Sequence, residues 1–367
     1  MRVIISGGGT GGHIFPAISI ANALKEADST TEILFVGAKG KMEMEKVPAA
    51  GYKIEGLPVA GFHRQINIRN IGRNMLFPFK LVASMFKAWS IVRSFKPDVA
   101  VGVGGYASGP VLRCAASAGV PCLIQEQNSY PGVTNKILAQ KAKKICVAYP
   151  NMERFFSAEK IIMTGNPVRQ QLLNSTTREE AAKEFGLDAS KPVILVIGGS
   201  LGARSINNGI SETLDILDDN VQLLWQTGKI YFEGVSNLLA KKKRENVKAM
   251  DFIKRMDLAF SIADVVVSRA GASSISELAL LGKPSILVPS PNVSEDHQTK
   301  NAMALSNVGA AVLVKDADTK QLIEVAMRCL SNKEKLKELS DNIRSFAKPT
   351  AASDIAVEVR KLVVEKN

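Results

Sequence analysis

Residues 2–17, "RVIISGGGTGGHIFPA", decide the reading of the fold. The β-branched run 2–5 has the composition of a buried strand, and Ile18, Ala21 and Leu24 recur just beyond at helical spacing. Between them stands Gly7-Gly8-Gly9-Thr10-Gly11-Gly12-His13. A strand, a glycine turn and a helix N-terminus together bring backbone N–H groups close to an anion. The run also matches G-x-G-x-x-G through Gly7, Gly9 and Gly12, the dinucleotide fingerprint. That reading requires an acidic side chain at the end of the second strand to hold a ribose. Here "EILFVGAKG" ends in Gly37-Ala38-Lys39, with Glu32 at the opposite end. The match is cheap in so glycine-rich a run, so the redox reading is set aside and no cofactor is expected.

The same pattern returns. "VILVIGGSLGAR" (193–204) echoes the opening, and "ADVVVSRAGASS" (263–274) echoes "PDVAVGVGGYASGP" (97–110). Strand-like runs at 2–5, 32–36, 98–103, 121–125 and 145–148, then 193–197, 221–225, 264–267, 285–288 and 310–314, alternate with helical segments. The expectation is an α/β chain of two tandem Rossmann-like, doubly wound domains facing across a cleft. The first spans 1–163 and the second 164–344, joined within "MTGNPVRQQLL" (163–173). The terminal helix, about 345–367, is expected to pack back on the first domain.

Composition narrows the setting. The chain of 367 residues carries a net charge of +12. Its four cysteines (Cys114, Cys122, Cys146, Cys329) lack C-x-x-C spacing and read as buried apolar residues in a reducing compartment. No secretory leader and no membrane span are expected. Residues 61–97 hold Arg64, Arg69, Arg73, Lys80, Lys87, Arg93 and Lys96, no acid, and a run containing Phe77, Phe79, Phe86 and Trp89. One reading is a core helix over 79–94 with a basic solvent face. Another is an apolar patch with a basic rim that sits on anionic lipid. Nucleic acid fits less well, because the aromatics cluster with aliphatics instead of interleaving with arginine.

Candidate chemistry gathers at the glycine turns. "SRAGASSISELALLGKP" places Gly271, Ala272, Ser273 and Ser274 at a helix start, where small residues and hydroxyls suit a pyrophosphate. Glu277 follows one turn later and suits the two hydroxyls of a ribose; the plainer reading is a capping box with Ser274. Ser200 and Arg204 add donors from the second glycine turn. Asp316-Ala317-Asp318 is the one D-x-D, but helix capping explains it better than a metal, and no metal site is expected. Among His13, His63 and His297, only His13 follows a glycine turn at a helix start, where imidazolium is disfavoured and a neutral base is kept. The alternatives are that it caps the turn or binds a phosphate. Glu126, at a strand's carboxyl end, is the rival base, or it orients His13 or holds a hydroxyl.

"GGGTGGHIFPA", "GGYASGP", "QEQNSYPGVTNK", "GNPVR", "GGSLGAR" and "RAGASSISELALLGKP" occur in this order over nearly the whole chain. In that order they resemble the bacterial N-acetylglucosaminyltransferases that convert lipid I to lipid II in peptidoglycan synthesis. The resemblance implies a glycosyltransferase-B fold, UDP-N-acetylglucosamine as donor and undecaprenyl-linked lipid I as acceptor. It also implies inversion without an obligatory metal and peripheral attachment to the cytoplasmic face of the inner membrane, which favours the lipid reading of residues 61–97; no nucleic-acid partner is expected. By the same resemblance Thr10, Gly11 and Gly12 lie near the donor sugar and diphosphate, and Asn128 contacts N-acetylglucosamine. Arg169 and Ser200 reach the diphosphate, and Ile253 meets uracil through its backbone. Ala272, Ser273, Ser274, Ile275, Ser276 and Glu277 hold phosphate and ribose, and Gln298 touches sugar hydroxyls. The chain departs from the pattern at Leu201 (commonly glutamine), Gln125 (often histidine) and Ser273 (commonly leucine).

Overall fold

The computed structural model describes residues 1–59, 77–169, 172, 176–199, 201–293 and 296–365. The chain divides into two compact units, one formed by Met1–Val168 with the segment from Lys348 onward, the other by Arg169–Ala347.

The first unit is a parallel sheet. Its strands are β1 (Arg2–Ser6), β2 (Glu32–Ala38), β3 (Lys53–Leu57), β4 (Val99–Gly102), β5 (Cys122–Glu126), β6 (Lys144–Val147) and β7 (Ile161–Met163). They lie in the order β3-β2-β1-β4-β5-β6-β7. Helices α1 (Gly11–Ala27), α2 (Glu43–Ala49), α3 (Phe77–Phe95), α4 (Ser108–Ser117) and α5 (Val133–Leu138) connect them. Both faces of the sheet are covered, so β1, β4 and β5 are buried along most or all of their length, with Gln125 and Glu126 the polar end of β5. On one face α1 and the C-terminal helix Ala351–Val364 share a core of Ile14, Ile20, Leu24, Ile355 and Val359. On the other, Ala88, Ile91 and Val92 of α3 pack with Val111 and Leu112 of α4.

The second unit repeats the scheme in six strands. They are β8 (Val193–Ile197), β9 (Gln222–Gln226), β10 (Val247–Met250), β11 (Val265–Arg269), β12 (Ser285–Val288) and β13 (Val312–Leu313), in the order β10-β9-β8-β11-β12-β13. Its helices include α6 (Arg178–Phe185), α7 (Arg204–Thr213), α8 (Lys229–Lys242), α9 (Met256–Ile262), α10 (Ala272–Leu281) and α11 (His297–Ser306). Trp225 is fully buried, and its indole N–H donates to Asn207 Oδ1 at 3.0 Å. The Asn207 amide in turn donates to Thr227 O at 2.8 Å, fixing the chain where β9 ends.

In each unit the strand order reverses at one place, between β1 and β4 and between β8 and β11. Connections leave such a point in opposite directions, which opens a crevice at the strands' carboxyl ends. The glycine turns sit there.

Three strands escape the sequence reading: β3, β7 and β10. All lie at sheet edges. Lys53, Glu55 and Lys248 interrupt the apolar run in two of them, as is common where an edge must resist further pairing. Helix α1 also starts earlier than its apolar spacing suggests, so Gly11, Gly12 and His13 form its first turn. Pro16 lies inside its first turns. The expected helix over 79–94 exists as α3, but its outer face is apolar as well as basic: Phe79 and Phe86 are each 74% exposed. Arg64, Arg69, Arg73 and His63 lie outside the described residues.

Because Ile355 is fully buried against the α1 layer, Ile355→Ala should destabilise the first unit by about 2–5 kcal/mol. Hydrogen exchange checks this: protection falls in β1 and α1 while β8 and β11 keep theirs.

Candidate active site

In the first unit the site is built by backbone touching backbone. Ser6 of β1 is registered against Gly102 of β4, so the two turns leave the sheet side by side. A Cβ on Gly105, at φ +85°, would lie 2.4 Å from Gly8 O, and one on Gly7 would lie 2.2 Å from Val103 Cγ2. Only glycine permits that approach.

His13 rises from this floor in the first turn of α1. Its Nδ1 lies 3.0 Å from Gly8 O and 3.3 Å from Thr10 Oγ1. A carbonyl can only accept, so the bond to Gly8 puts a proton on Nδ1, and in the neutral ring the lone pair is then on Nε2. A Cβ on Gly104 would lie 2.9 Å from that Nε2, which places the basic edge of the ring over Gly104. Thr10 is exposed, and Gly11 and Gly12 are half-buried beside it.

Glu126 ends β5 and is 1% exposed. Its carboxylate accepts from Asn128 N at 3.0 Å, Asn128 Nδ2 at 3.2 Å, Gly132 N at 3.2 Å and Asn135 Nδ2 at 2.8 Å. Burial pushes its carboxyl above the ordinary glutamate range, against the pull of those bonds. Among the described residues none of its hydrogen bonds comes from His13; the carboxylate ties the 128–132 loop to the first turn of α5 and holds Asn128 at the loop's start. Behind it, Gln125 Nε2 donates to Asn166 Oδ1 (2.9 Å), and Asn166 Nδ2 donates to Gln127 O (3.0 Å). Gln127 Nε2 donates to Val103 O (2.8 Å). Gln125, where the resembled family often has histidine, is fully buried in this web.

Sequence reasoning missed Glu43. It is 1% exposed, accepting from Gly9 N at 2.9 Å and Ala38 N at 3.0 Å. Glu43 stands among Lys41, Glu45 and Lys46, so charge pattern alone does not single it out. The available signal was the pair Gly8 and Gly37, where a Cβ would strike the Glu43 side chain.

In the second unit α10 starts at Ala272, with Gly271 as its N-cap and no side-chain cap. The capping-box reading of Glu277 and Ser274 therefore fails. Instead Glu277 binds Arg169 bidentately: Nε to Oε1 at 2.7 Å and Nη2 to Oε2 at 2.8 Å. Ser273 and Ser274 are half-buried at the helix start, and Ser276 Oγ is turned back to Ala272 O at 2.9 Å. Ile275 is 2% exposed, so its side chain belongs to the core and only its backbone can serve a ligand. Ile253 is fully buried, and its N–H donates to Gln226 Oε1 at 2.9 Å. Gln298 Oε1 accepts from Ser290 N at 2.9 Å, which directs its amide N–H₂ outward from that bond. Ser200 lies outside the described residues. Asp316 does not cap a helix with its carboxylate; it accepts from Arg269 at 2.5 Å and Ser205 Oγ at 2.6 Å. Among the described residues no group of three or more His, Cys, Asp or Glu side chains is placed to hold a metal.

Two family models span most of the sequence. The glycosyltransferase family 28 N-terminal domain matches residues 3–147, and the family 28 C-terminal domain matches residues 193–355. The chain belongs to glycosyltransferase family 28. It is 59% identical over 367 residues to a Bacteroides fragilis protein named UDP-N-acetylglucosamine–N-acetylmuramyl-(pentapeptide) pyrophosphoryl-undecaprenol N-acetylglucosamine transferase. The alignment covers 99% of this chain and 96% of that protein. A crystal structure of Acinetobacter baumannii MurG superposes with a TM-score of 0.77 at 29% identity, covering 98% of this chain and 99% of the other. A Neisseria meningitidis UDP-GlcNAc 2-epimerase structure, bound to UDP-GlcNAc, gives a TM-score of 0.69 at 14% identity over 98% of this chain and all of the other, a likeness of fold alone. This family 28 chain is thus a glycosyltransferase of two parallel-sheet α/β units.

The Arg169–Glu277 pair, with side chains 31% and 10% exposed, is bidentate and partly desolvated. A double-mutant cycle of Arg169→Ala and Glu277→Ala on denaturant stability should give a coupling of about 1–2 kcal/mol. A coupling near zero would mean that the pair does not persist in solution.

Proposed function

We propose that this chain transfers N-acetylglucosamine from UDP-N-acetylglucosamine to the muramyl sugar of undecaprenyl-linked lipid I, with inversion at the anomeric carbon, forming lipid II. The observation that carries the mechanism is the His13 geometry, an imidazole held through Nδ1 with its lone pair on Nε2. His13 is the general base: Nε2 takes the proton of the acceptor hydroxyl as that oxygen attacks the anomeric carbon. Glu126 serves as the brace of Asn128, which meets the N-acetylglucosamine; a buried carboxylate engaged four times over is a poor proton shuttle. Thr10, Gly11 and Gly12 lie beside the transferred sugar.

The leaving UDP is received by the second unit. The α10 N-terminus with Ser273 and Ser274, helped by Ser200 and Arg169, stabilises the charge that develops on the diphosphate. A carboxylate offers about four acceptor positions. The two N–H bonds from Arg169 therefore leave Glu277 able to accept both ribose hydroxyls while the arginine holds it in place. The N–H of Ile253 is already spent on Gln226, so its carbonyl is the group that suits the imide N–H of uracil. Gln298 offers its amide N–H₂ to the sugar hydroxyls.

The acceptor is a lipid, and α3 carries the fitting surface. Phe79, Val82 and Phe86 stand exposed, with Lys80 and Arg93 on the same helix. Among the described residues no helix is long and apolar enough to cross a membrane. We read this face, with the rest of 61–97, as peripheral attachment to anionic lipid on the cytoplasmic face of the inner membrane.

Two measurements test the reading. Transfer of labelled N-acetylglucosamine to a short-chain lipid I analogue should proceed in EDTA and fall by ~10²–10⁴-fold in His13→Ala. Undiminished transfer in the variant would remove His13 as base, and UDP-N-acetylglucosamine binding with no transfer by wild type would remove the acceptor assignment. Separately, Phe79→Ser with Phe86→Ser should abolish co-sedimentation with anionic vesicles and leave transfer to a detergent-soluble acceptor intact. Unchanged co-sedimentation would refute the membrane face.

A further inference from the structure

We propose that Glu43 is a positioning residue for His13, acting on it through the single peptide group that joins Gly8 to Gly9. The inference rests on the reading of His13 as the base. Gly8 C=O and Gly9 N–H are the two ends of one planar trans peptide and point in opposite directions. At one end Glu43 Oε2 accepts from Gly9 N at 2.9 Å. At the other, Gly8 O accepts from His13 Nδ1 at 3.0 Å. Carboxylate, peptide and imidazole thus form one hydrogen-bonded chain, in which each bond polarises the next. The arrangement does what a carboxylate bonded directly to a catalytic histidine does elsewhere: it fixes the ring's orientation and its tautomer. Here a peptide is interposed.

The surroundings hold this link in one geometry. Glu43 is almost wholly buried, and its second oxygen accepts from Ala38 N at 3.0 Å at the end of β2, so the carboxylate is tied to the sheet as well as to the turn. Space for it exists because its neighbours lack side chains. A Cβ on Gly8 would lie 2.2 Å from Glu43 Oε1, and one on Gly37 would lie 2.5 Å from Glu43 Cγ. From the opposite side Gly105 presses on Gly8 O and Gly8 N, at 2.4 and 3.1 Å from its would-be Cβ. The Gly8–Gly9 peptide is therefore clamped, and rotating it would break the bonds to Glu43 and His13 together. A carboxylate buried beside a turn that otherwise offers N–H groups to anions is costly unless those bonds hold it. Bracing the β2–α2 connection needs only the bond to Ala38; the bond to Gly9 is the one the chemistry uses.

The test uses the full chain labelled with ¹⁵N-histidine. Its three histidines, His13, His63 and His297, are few enough to resolve, and His13→Ala assigns the signal of interest. In wild type the His13 ring should show the Nδ1–H tautomer. In Glu43→Gln the Nε2–H form should become populated, and kcat for transfer to a lipid I analogue should fall about 10²-fold, the cost of a misplaced catalytic group. KM for UDP-N-acetylglucosamine should stay within about twofold, because uniform binding is untouched. Glu43→Asp keeps a carboxylate one methylene short of both N–H groups and is read in the same way, so the test stands if the glutamine variant does not fold. An unchanged tautomer in a folded variant overturns the proposal, whether or not kcat falls, since a merely structural loss would lower activity without moving the proton. Should His13→Ala retain transfer while Glu43→Gln still shifts the tautomer, the base assignment fails and the Glu43–His13 link stands.

Discussion

The contact on which the site depends is between two pieces of backbone: the turn after β1 and the turn after β4, where Gly105 lies against the Gly8 peptide. It occurs where the strand order reverses and neighbouring connections diverge. Close approach of the two turns fixes the Gly8 carbonyl. That carbonyl fixes the tautomer of His13, and the tautomer decides which nitrogen can take a proton. In the second unit glycines also let two turns touch, here the turns after β8 and β9, to one side of the reversal: a Cβ on Gly202 would lie 2.0 Å from Thr227 O, and one on Gly228 would lie 2.4 Å from Leu201 O. In both units the glycines serve close packing of turns as much as access for a phosphate.

Buried carboxylates do the bracing. Glu43 spends both oxygens on backbone N–H groups, Glu126 closes the loop that presents Asn128, and Glu277 is held by Arg169. Each would be expensive to bury alone, and each is made tolerable by bonds that also fix a neighbour's position. The same residue type thus takes three roles, and the partners decide which. Glu126 shows this most clearly: its place at a strand's carboxyl end suits a base, but its bonds to Asn128, Gly132 and Asn135 make it a scaffold.

What the sequence disclosed follows from the range of each signal. A strand, a glycine turn and a helix start lie within about a dozen residues, so β1–α1, β4–α4, β8–α7 and β11–α10 were all legible from apolar runs and glycines. Edge strands β3, β7 and β10 were not: one of their sides has no neighbour to bury, charged residues interrupt the pattern in β3 and β10, and β7 is only three residues long. The site divides in the same way. His13 stood out because it follows its own turn. Glu43 reaches Gly9 across 34 residues, and Arg169 reaches Glu277 across 108, distances over which a single sequence carries no pairing signal. Asp316 was misread as a cap for the same reason: its partner Arg269 is 47 residues away.

The most direct measurement is single-turnover transfer of N-acetylglucosamine to a lipid I analogue by Gly105→Ala beside Gly234→Ala. Gly234 has open space around its Cβ position, whereas a methyl on Gly105 must displace the Gly8 carbonyl. With hydrogen exchange showing both variants folded, transfer should fall by about 10²-fold in Gly105→Ala and stay near wild type in Gly234→Ala. A folded Gly105→Ala protein that transfers at the wild-type rate would contradict the claim that contact between the two turns positions the base.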